Sequence, residues 1–338
     1  MSRTRLAVVT AAVAVAIAAV ITVAVVNGGG VSPGSFRTPN LSSIAPSRYG
    51  PKIPAHGAYI GAWVRPQLYD QASQIAGVDA LQSQLGRRLD IVHVYLTWHG
   101  AFPTQSDLAA LRQGSMLLLS WTGTDSRAVA SGADDSLIRQ RAREIKATGK
   151  PVFLEWRWEM DRPNLSGVVG SPADFIAAWR HVRAIFAQQH VGNVAWVWCP
   201  TAKGFQPGGN AAAYYPGNAE VDWICADAYP GSGPYQPFAG TVQSFLRWAS
   251  HHPKPVMIGE YGVPRSYPPQ QRAQWLRASA QTVQADPQIK AVVYFDADPL
   301  GSVASDSFGL AGDTAALREF RVIADSRYFN PSGVRLSG

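Results

Sequence analysis

From residue 57 onward, short apolar runs alternate with longer stretches in which apolar residues recur every three or four positions. The short runs are AYIGAW (58–63), IVHVYLTW (91–98), MLLLSW (116–121), PVFLEW (151–156), VAWVWC (194–199), VDWICA (221–226), PVMIGE (255–260) and AVVYFD (291–296). Their starts fall roughly 25–45 residues apart, which suits one strand–helix unit each. Between them, 134–149 sets Leu137, Arg141 and Ile145 at helical spacing, and 173–190 aligns Phe175, Ile176, Trp179, Val182 and Phe186 in one stripe. Ser171-Pro172 supplies a start signal for the second of these helices, and 267–284 opens another with Pro268-Pro269. Alternating strands and helices in one block of about 280 residues predict an α/β fold, a single (β/α)8 TIM barrel. A doubly wound open sheet is the alternative. It would carry a glycine-rich phosphate turn after its first strand, and Tyr59-Ile60-Gly61-Ala62-Trp63 has no such continuation.

The pattern before residue 57 is of another kind. Residues 6–26 carry no charge, follow Arg3 and Arg5, and are long enough for a hydrocarbon core of about 30 Å. They read as an uncleaved signal anchor, with a cleaved signal peptide as the alternative. Either way the positive end stays inside and the bulk of the chain is exported, to the outer side of the cell membrane or beyond it. Residues 27–56, rich in Gly, Pro and Ser, read as a flexible linker, and 57–330 as the barrel domain.

Composition narrows the function classes. The net charge of +7 comes from scattered arginines without a basic run, so a nucleic-acid partner is not expected, although a basic surface suits acidic polymers. Cys199 and Cys225, the only cysteines, leave a disulfide and two buried thiols equally open, and they are too few for a cysteine-based zinc site. No HExxH spacing occurs, and neither a metal nor a cofactor is implied. Nothing in the pattern calls for more than a monomer.

In a barrel of this type, chemistry sits at the carboxyl ends of the strands. There the sequence places Trp98 and His99 after the second run, Trp121 at the third, and Arg157-Trp158-Glu159 after the fourth. Trp198-Cys199 ends the fifth run, Asp227-Ala228-Tyr229 the sixth, Glu260-Tyr261 the seventh, and Asp296 and Asp298 the eighth. Carboxylates among aromatic rings suit sugars, whose C–H faces stack on indole while their hydroxyls bond to acids. Glycoside cleavage needs one carboxylic acid to protonate the leaving oxygen and a second carboxylate to attack carbon or activate water. Glu159 and Glu260 fit those posts. Plainer readings stand beside these. The tryptophans can pack beneath the mouth, Asp227 and Asp296 can cap turns, His99 can be a loop residue, and Glu155 can pair with Arg157 inside the barrel.

Three segments resemble glycoside hydrolase family 26, whose best-known members are β-mannanases. Arg157-Trp158-Glu159-Met160-Asp161 is similar to the family's His-Glu-Met-Asn acid/base segment. YYPGNAEVDWICADAY (214–229) is similar to its Tyr-Tyr-Pro-Gly-Asp…Asp-Ala-Tyr run, and Ile258-Gly259-Glu260-Tyr261-Gly262 to its nucleophile segment. The resemblance implies a retaining mechanism on a β-linked polysaccharide or oligosaccharide, β-mannan or mixed-linkage β-glucan foremost, with xylan and envelope glycans open. It makes Glu159 the acid/base and Glu260 the nucleophile, with Tyr229 holding Glu260. Trp121 and Trp198 become sugar platforms, and Asp227 a polar contact in the cleft. Trp158 stands where the family keeps a histidine, and Asp161-Arg162 where it keeps Asn-Gly, so the mechanism carries over further than the substrate. The competing readings are a non-catalytic glycan-binding barrel, which the Trp158 replacement motivates, and an envelope-assembly protein that depends on its tether.

Overall fold

The computed structural model describes residues 50–299 and 301–333. The apolar segment 6–26 and most of the linker lie outside these residues, and among those described no helix is long and apolar enough to cross a membrane. Eight parallel strands close into a barrel in sequence order. They are β1 (Tyr59–Val64), β2 (Ile91–Leu96), β3 (Met116–Trp121), β4 (Val152–Trp156), β5 (Val194–Trp198), β6 (Trp223–Ala228), β7 (Val256–Tyr261) and β8 (Ile289–Asp296). Closure is made by β8 against β1, in register from Tyr59↔Ala291 to Val64↔Asp296. Each apolar run of the sequence became a strand, with ends displaced by up to two residues.

Each strand's two faces enter different cores. Tyr59, Ile91, Leu118, Phe153, Val197, Trp223, Met257 and Val293 point inward and fill the lower barrel. The alternate positions, with the stripes of the surrounding helices, form a second apolar layer outside it. The helix Pro172–Gln188 shows why the chain turns where it does. The Ser171 hydroxyl accepts from the Asp174 amide at 3.2 Å, the Asp174 carboxylate accepts from the Ser171 amide at 2.9 Å, and Pro172 occupies the first helical position. This reciprocal cap satisfies amides that a helix start otherwise leaves open. Its apolar face then buries Phe175, Trp179, Val182 and Phe186.

Two departures from regular strand geometry set up the mouth of the barrel. Between β6 and β7 the register slips, pairing Ala226 with Ile258 but Asp227 with Glu260. The extra residue turns Glu260 toward the barrel axis, a position that strict alternation from the inward Met257 would deny it. At the end of β4, Arg157 and Glu159 both take left-handed backbone conformations, with φ of 54° and 50°. Side-chain-bearing residues seldom adopt this region, and such strain clusters at functional sites. Here neighbouring strands hold it in place. The Arg157 amide donates to the Trp121 carbonyl at 3.0 Å, and the Glu159 amide to the Cys199 carbonyl at 2.7 Å.

Candidate active site

Glu260 stands at the end of β7 with both carboxylate oxygens occupied. Tyr229 donates its hydroxyl to Oε2 at 2.7 Å, and Tyr95 donates to Oε1. Burial pushes the Glu260 carboxyl up, and the Glu159 charge pushes it further. The two tyrosine hydroxyls pull the other way, leaving it at about 7. Glu159 is itself raised by burial, against the opposing pull of Arg162, whose Nη1 lies 2.6 Å from Glu159 Oε2. Asp161 ties this loop to the next strand, accepting from the Thr201 amide at 2.9 Å and from the Thr201 hydroxyl at 2.5 Å.

Around these carboxyls runs an arc of aromatic rings. Trp158 leans on Tyr95 at 5.2 Å, and Tyr95 meets the edge of Trp63 at 5.5 Å. Trp63 stacks on Phe295 at 4.8 Å, Phe295 meets Tyr229 at 6.0 Å, and Tyr229 lies against Phe308 at 4.6 Å. Trp63, Tyr95, Trp158, Tyr229 and Phe295 are only partly buried, so ring faces remain at the mouth. Sequence reasoning named Trp158 and Tyr229 but missed Trp63, Tyr95 and Phe295. The missed signal was parity: Trp63 shares its face with the inward Tyr59, Tyr95 with Ile91, and Phe295 with Val293.

Other sequence expectations need correction. Trp121 and Trp198, taken as sugar platforms, are fully buried in the outer layer. Trp121 stacks on Trp98 at 4.3 Å, and Trp198 packs against Tyr215 and Trp248. Both sit on strand positions that face the helices rather than the axis. Trp98, only 6% exposed, belongs to the same layer. His99 is exposed in the loop after β2 and is not among the groups that contact the two glutamates. Asp296 accepts from the Leu310 amide at 2.7 Å and anchors the loop after β8.

Glu155 does not pair with Arg157. The strand ends at Trp156 and the backbone turns left-handed at Arg157, so the two side chains diverge. Glu155 instead points into the barrel, where it accepts from the Ser120 hydroxyl, which lies 2.6 Å from His93 Nε2. Burial pushes its carboxyl well above the usual range, and the charges of Glu260 and Glu159 add to the rise that the Ser120 hydroxyl opposes. Asp227 is buried beside it and pushed up in the same way, first by burial and then by the charge of Glu260. Beneath them Cys199 and Cys225 form a disulfide, the alternative that the sequence left open. Cys199, Cys225, Glu155 and Asp227 cluster closely enough to suggest a metal site, but the two sulfurs are bonded to each other and are not thiolate ligands.

No family model matches the chain. It is 29% identical over 222 residues to endoglucanase H of Acetivibrio thermocellus, covering 61% of this chain and 24% of that protein. It is also 29% identical over 138 residues to β-1,3-xylanase TXYA of a Vibrio species, covering 39% of this chain and 28% of that protein. The chain thus spans about a quarter of the length of the curated relatives it matches. Among solved structures, the catalytic domain of the family 26 endo-β-1,4-mannanase of Bacillus sp. JAMB-750 superposes with a TM-score of 0.61 at 15% identity, covering 83% of this chain and 89% of that one. The chain has the fold of glycoside hydrolase family 26. The family 26 endo-β-1,4-mannanase of Cellulomonas fimi superposes with a TM-score of 0.59 at 17% identity, over 80% of this chain and 71% of that one. The β-mannanase of a protist symbiont of the termite Reticulitermes speratus, complexed with a gluco-manno-oligosaccharide, gives 0.55 at 17% identity, over 80% and 87%. On this barrel, Glu159 follows the end of β4 and Glu260 lies at the end of β7.

Proposed function

We propose that this protein is a retaining glycoside hydrolase acting on a β-linked polysaccharide, with Glu159 as acid/base and Glu260 as nucleophile. The observation that carries the proposal is the pair itself. Glu260 at the end of β7 and Glu159 just beyond β4 meet at the mouth of the barrel, where the Glu159 charge raises Glu260, and partly exposed aromatic faces ring them. In the first step the bond between the anomeric carbon and the glycosidic oxygen breaks. Its electron pair goes to the oxygen, which takes the Glu159 proton, while a Glu260 oxygen bonds to the carbon. In the second step Glu159 takes a proton from water, the water oxygen bonds to the anomeric carbon, and Glu260 leaves as carboxylate. Tyr95 and Tyr229 hold Glu260 and favour its ionised form. Trp63 and Trp158 offer the sugar-stacking faces.

β-Mannan and mixed-linkage β-glucan are the first substrates to try. Incubating the purified barrel with mannan, lichenan and xylan, and following the anomer by proton NMR, should show the β-anomer released first. Absence of cleavage of any of them or of an activated aryl glycoside would defeat the reading. For the whole chain we further propose export and tethering by residues 6–26, which the charge-free run after Arg3 and Arg5 supports, as does a disulfide in the barrel.

Activity and stability should respond to pH in opposite directions. Glu260 must be ionised to attack, so kcat/KM falls as pH drops through about 7. Between the unfolded carboxyl value of about 4.3 and about 7, the folded protein holds a proton that the unfolded chain has lost. That stability is fully present below about 4.3 and is lost as pH rises through about 7. Glu155, Glu159 and Asp227 are raised too and act with the same sign. His93, lowered to about 3 by burial, opposes them as a single group. Melting temperature is therefore expected to fall between pH 5 and pH 8, and Glu260→Gln to flatten the fall; a melting temperature rising across that range would contradict the site's electrostatics.

A further inference from the structure

The loop leaving β4 carries two arginines, of which Arg162 reaches the candidate acid/base and Arg157 turns to the loop after β3. Arg162 lies beside Glu159, about one-fifth exposed, and uses only Nη1 in that pair. Its other guanidinium nitrogens make no hydrogen bond among the described residues. It also feels the charges of Glu260 and Asp161, so it sits within the carboxylate cluster and not out on the rim. Arg157 is 8% exposed and forms no ion pair among the described residues. Its guanidinium packs over Gly123 and reaches only the Thr124 carbonyl, at 3.4 Å, while Nε has no partner.

The Arg162–Glu159 pair also presents a mechanistic problem. The ion pair offsets part of the rise that burial gives Glu159, whereas the first step needs Glu159 protonated. An incoming anion would resolve it by drawing Arg162 away, leaving Glu159 among Trp158, Met160 and the barrel wall, where burial favours the neutral acid. Since Glu159 serves the glycosidic oxygen, an arginine 2.6 Å from it borders the sugar that departs. The planar fork of a guanidinium matches a carboxylate in two-point contact.

We infer that the glycan cleaved here is acidic, and that Arg162 binds a carboxylate on its leaving-side sugar. The inference rests on the glycosidase reading above but is tested apart from it. β-1,4-Linked oligomannuronate and β-1,4-manno-oligosaccharide share one backbone and differ by a carboxylate against a hydroxymethyl at C5. Oligoglucuronate and cello-oligosaccharide form a second such pair, and a sulfated manno-oligosaccharide distinguishes a carboxylate from another compact anion.

Calorimetric titration of the full-length protein carrying Glu260→Ala reads binding without turnover. In at least one pair the acidic member is expected to bind tenfold or more tighter than its neutral partner. The preference should weaken from 50 to 500 mM salt, collapse toward unity on adding Arg162→Gln, and survive in part with Arg162→Lys. With wild-type enzyme, kcat/KM should show the same preference, and Arg162→Gln should move the Glu159 limb of the pH profile upward. Thermal melts establish that each variant is folded. Equal or weaker binding of the acidic member in both pairs overturns the inference, as does a preference that Arg162→Gln leaves intact. Tighter binding of the sulfated sugar than of either uronate replaces carboxylate by sulfate. Cleavage of neutral glycans without preference removes the acidic substrate alone. An acidic binding preference without cleavage of any glycan removes the hydrolase reading alone.

Discussion

Glu260→Ala is expected to lower kcat/KM on a β-linked substrate by a factor on the order of 10⁴–10⁶, since the covalent route closes with the nucleophile. The substitution leaves a gap the size of a carboxylate between Tyr95 and Tyr229, into which a small anion fits. Azide entering there would attack an activated aryl glycoside from the Glu260 side and give a glycosyl azide of inverted configuration. Glu159→Ala should behave differently. Its loss should be about 10²–10⁴ on substrates with poor leaving groups, which need the proton, and small for bond breaking in aryl glycosides, which do not. Azide would then intercept the covalent intermediate and give the retained product. NMR of the two azides reads the roles directly, and the opposite pairing of products would exchange the assignments. Full activity in Glu260→Ala would end the reading of Glu260 as nucleophile.

The second large effect is expected one residue earlier. A Cβ added at Gly259 would lie 2.5 Å from Cys225 Sγ, 2.8 Å from Cys199 Sγ and 2.9 Å from Asp227 Oδ1. None of these can swing aside, because the sulfurs are bonded across β5 and β6 and Asp227 is buried in the barrel. Gly259→Ala must therefore push β7 outward, at a cost of about 1–3 kcal/mol for overpacking. The displaced strand is the one that bears Glu260, and a shift of about 1 Å at the chemistry is worth about 10²-fold in rate. Thermal melts and kcat should fall together. Replacing both cysteines with alanine in the Gly259→Ala background should recover part of both losses, the sign of coupling through one contact. An unchanged melting temperature and kcat in Gly259→Ala would show that the close packing beneath the site has no such role.

The chain's local chemistry was enough for its elements. Runs such as MLLLSW and the stripe Phe175–Phe186 announced a strand and a helix because period and capping act over a few residues. Their order alone implied a barrel with Glu159 and Glu260 at strand ends. What it could not supply was which side each ring faces. Alternation puts Trp121 and Trp63 on opposite faces of their strands, but inside and outside exist only once β8 has closed on β1. Hence Trp121 and Trp198 became packing beneath helices, while Trp63, Tyr95 and Phe295 became the wall of the mouth.

Three further outcomes belonged to tertiary structure for the same reason. The disulfide follows from β5–β6 register, where Trp198 opposite Ile224 sets Cys199 beside Cys225. Glu260 faces inward because a register slip between β6 and β7 overrides alternation. Glu155 parted from Arg157 because the backbone turned left-handed after Trp156, held by bonds to β3 and β5. The sequence alone determined the elements, their order and the two carboxyls, since these depend on neighbours along the chain. Partners, faces and ionisation were decided by residues that only closure of the barrel brings together.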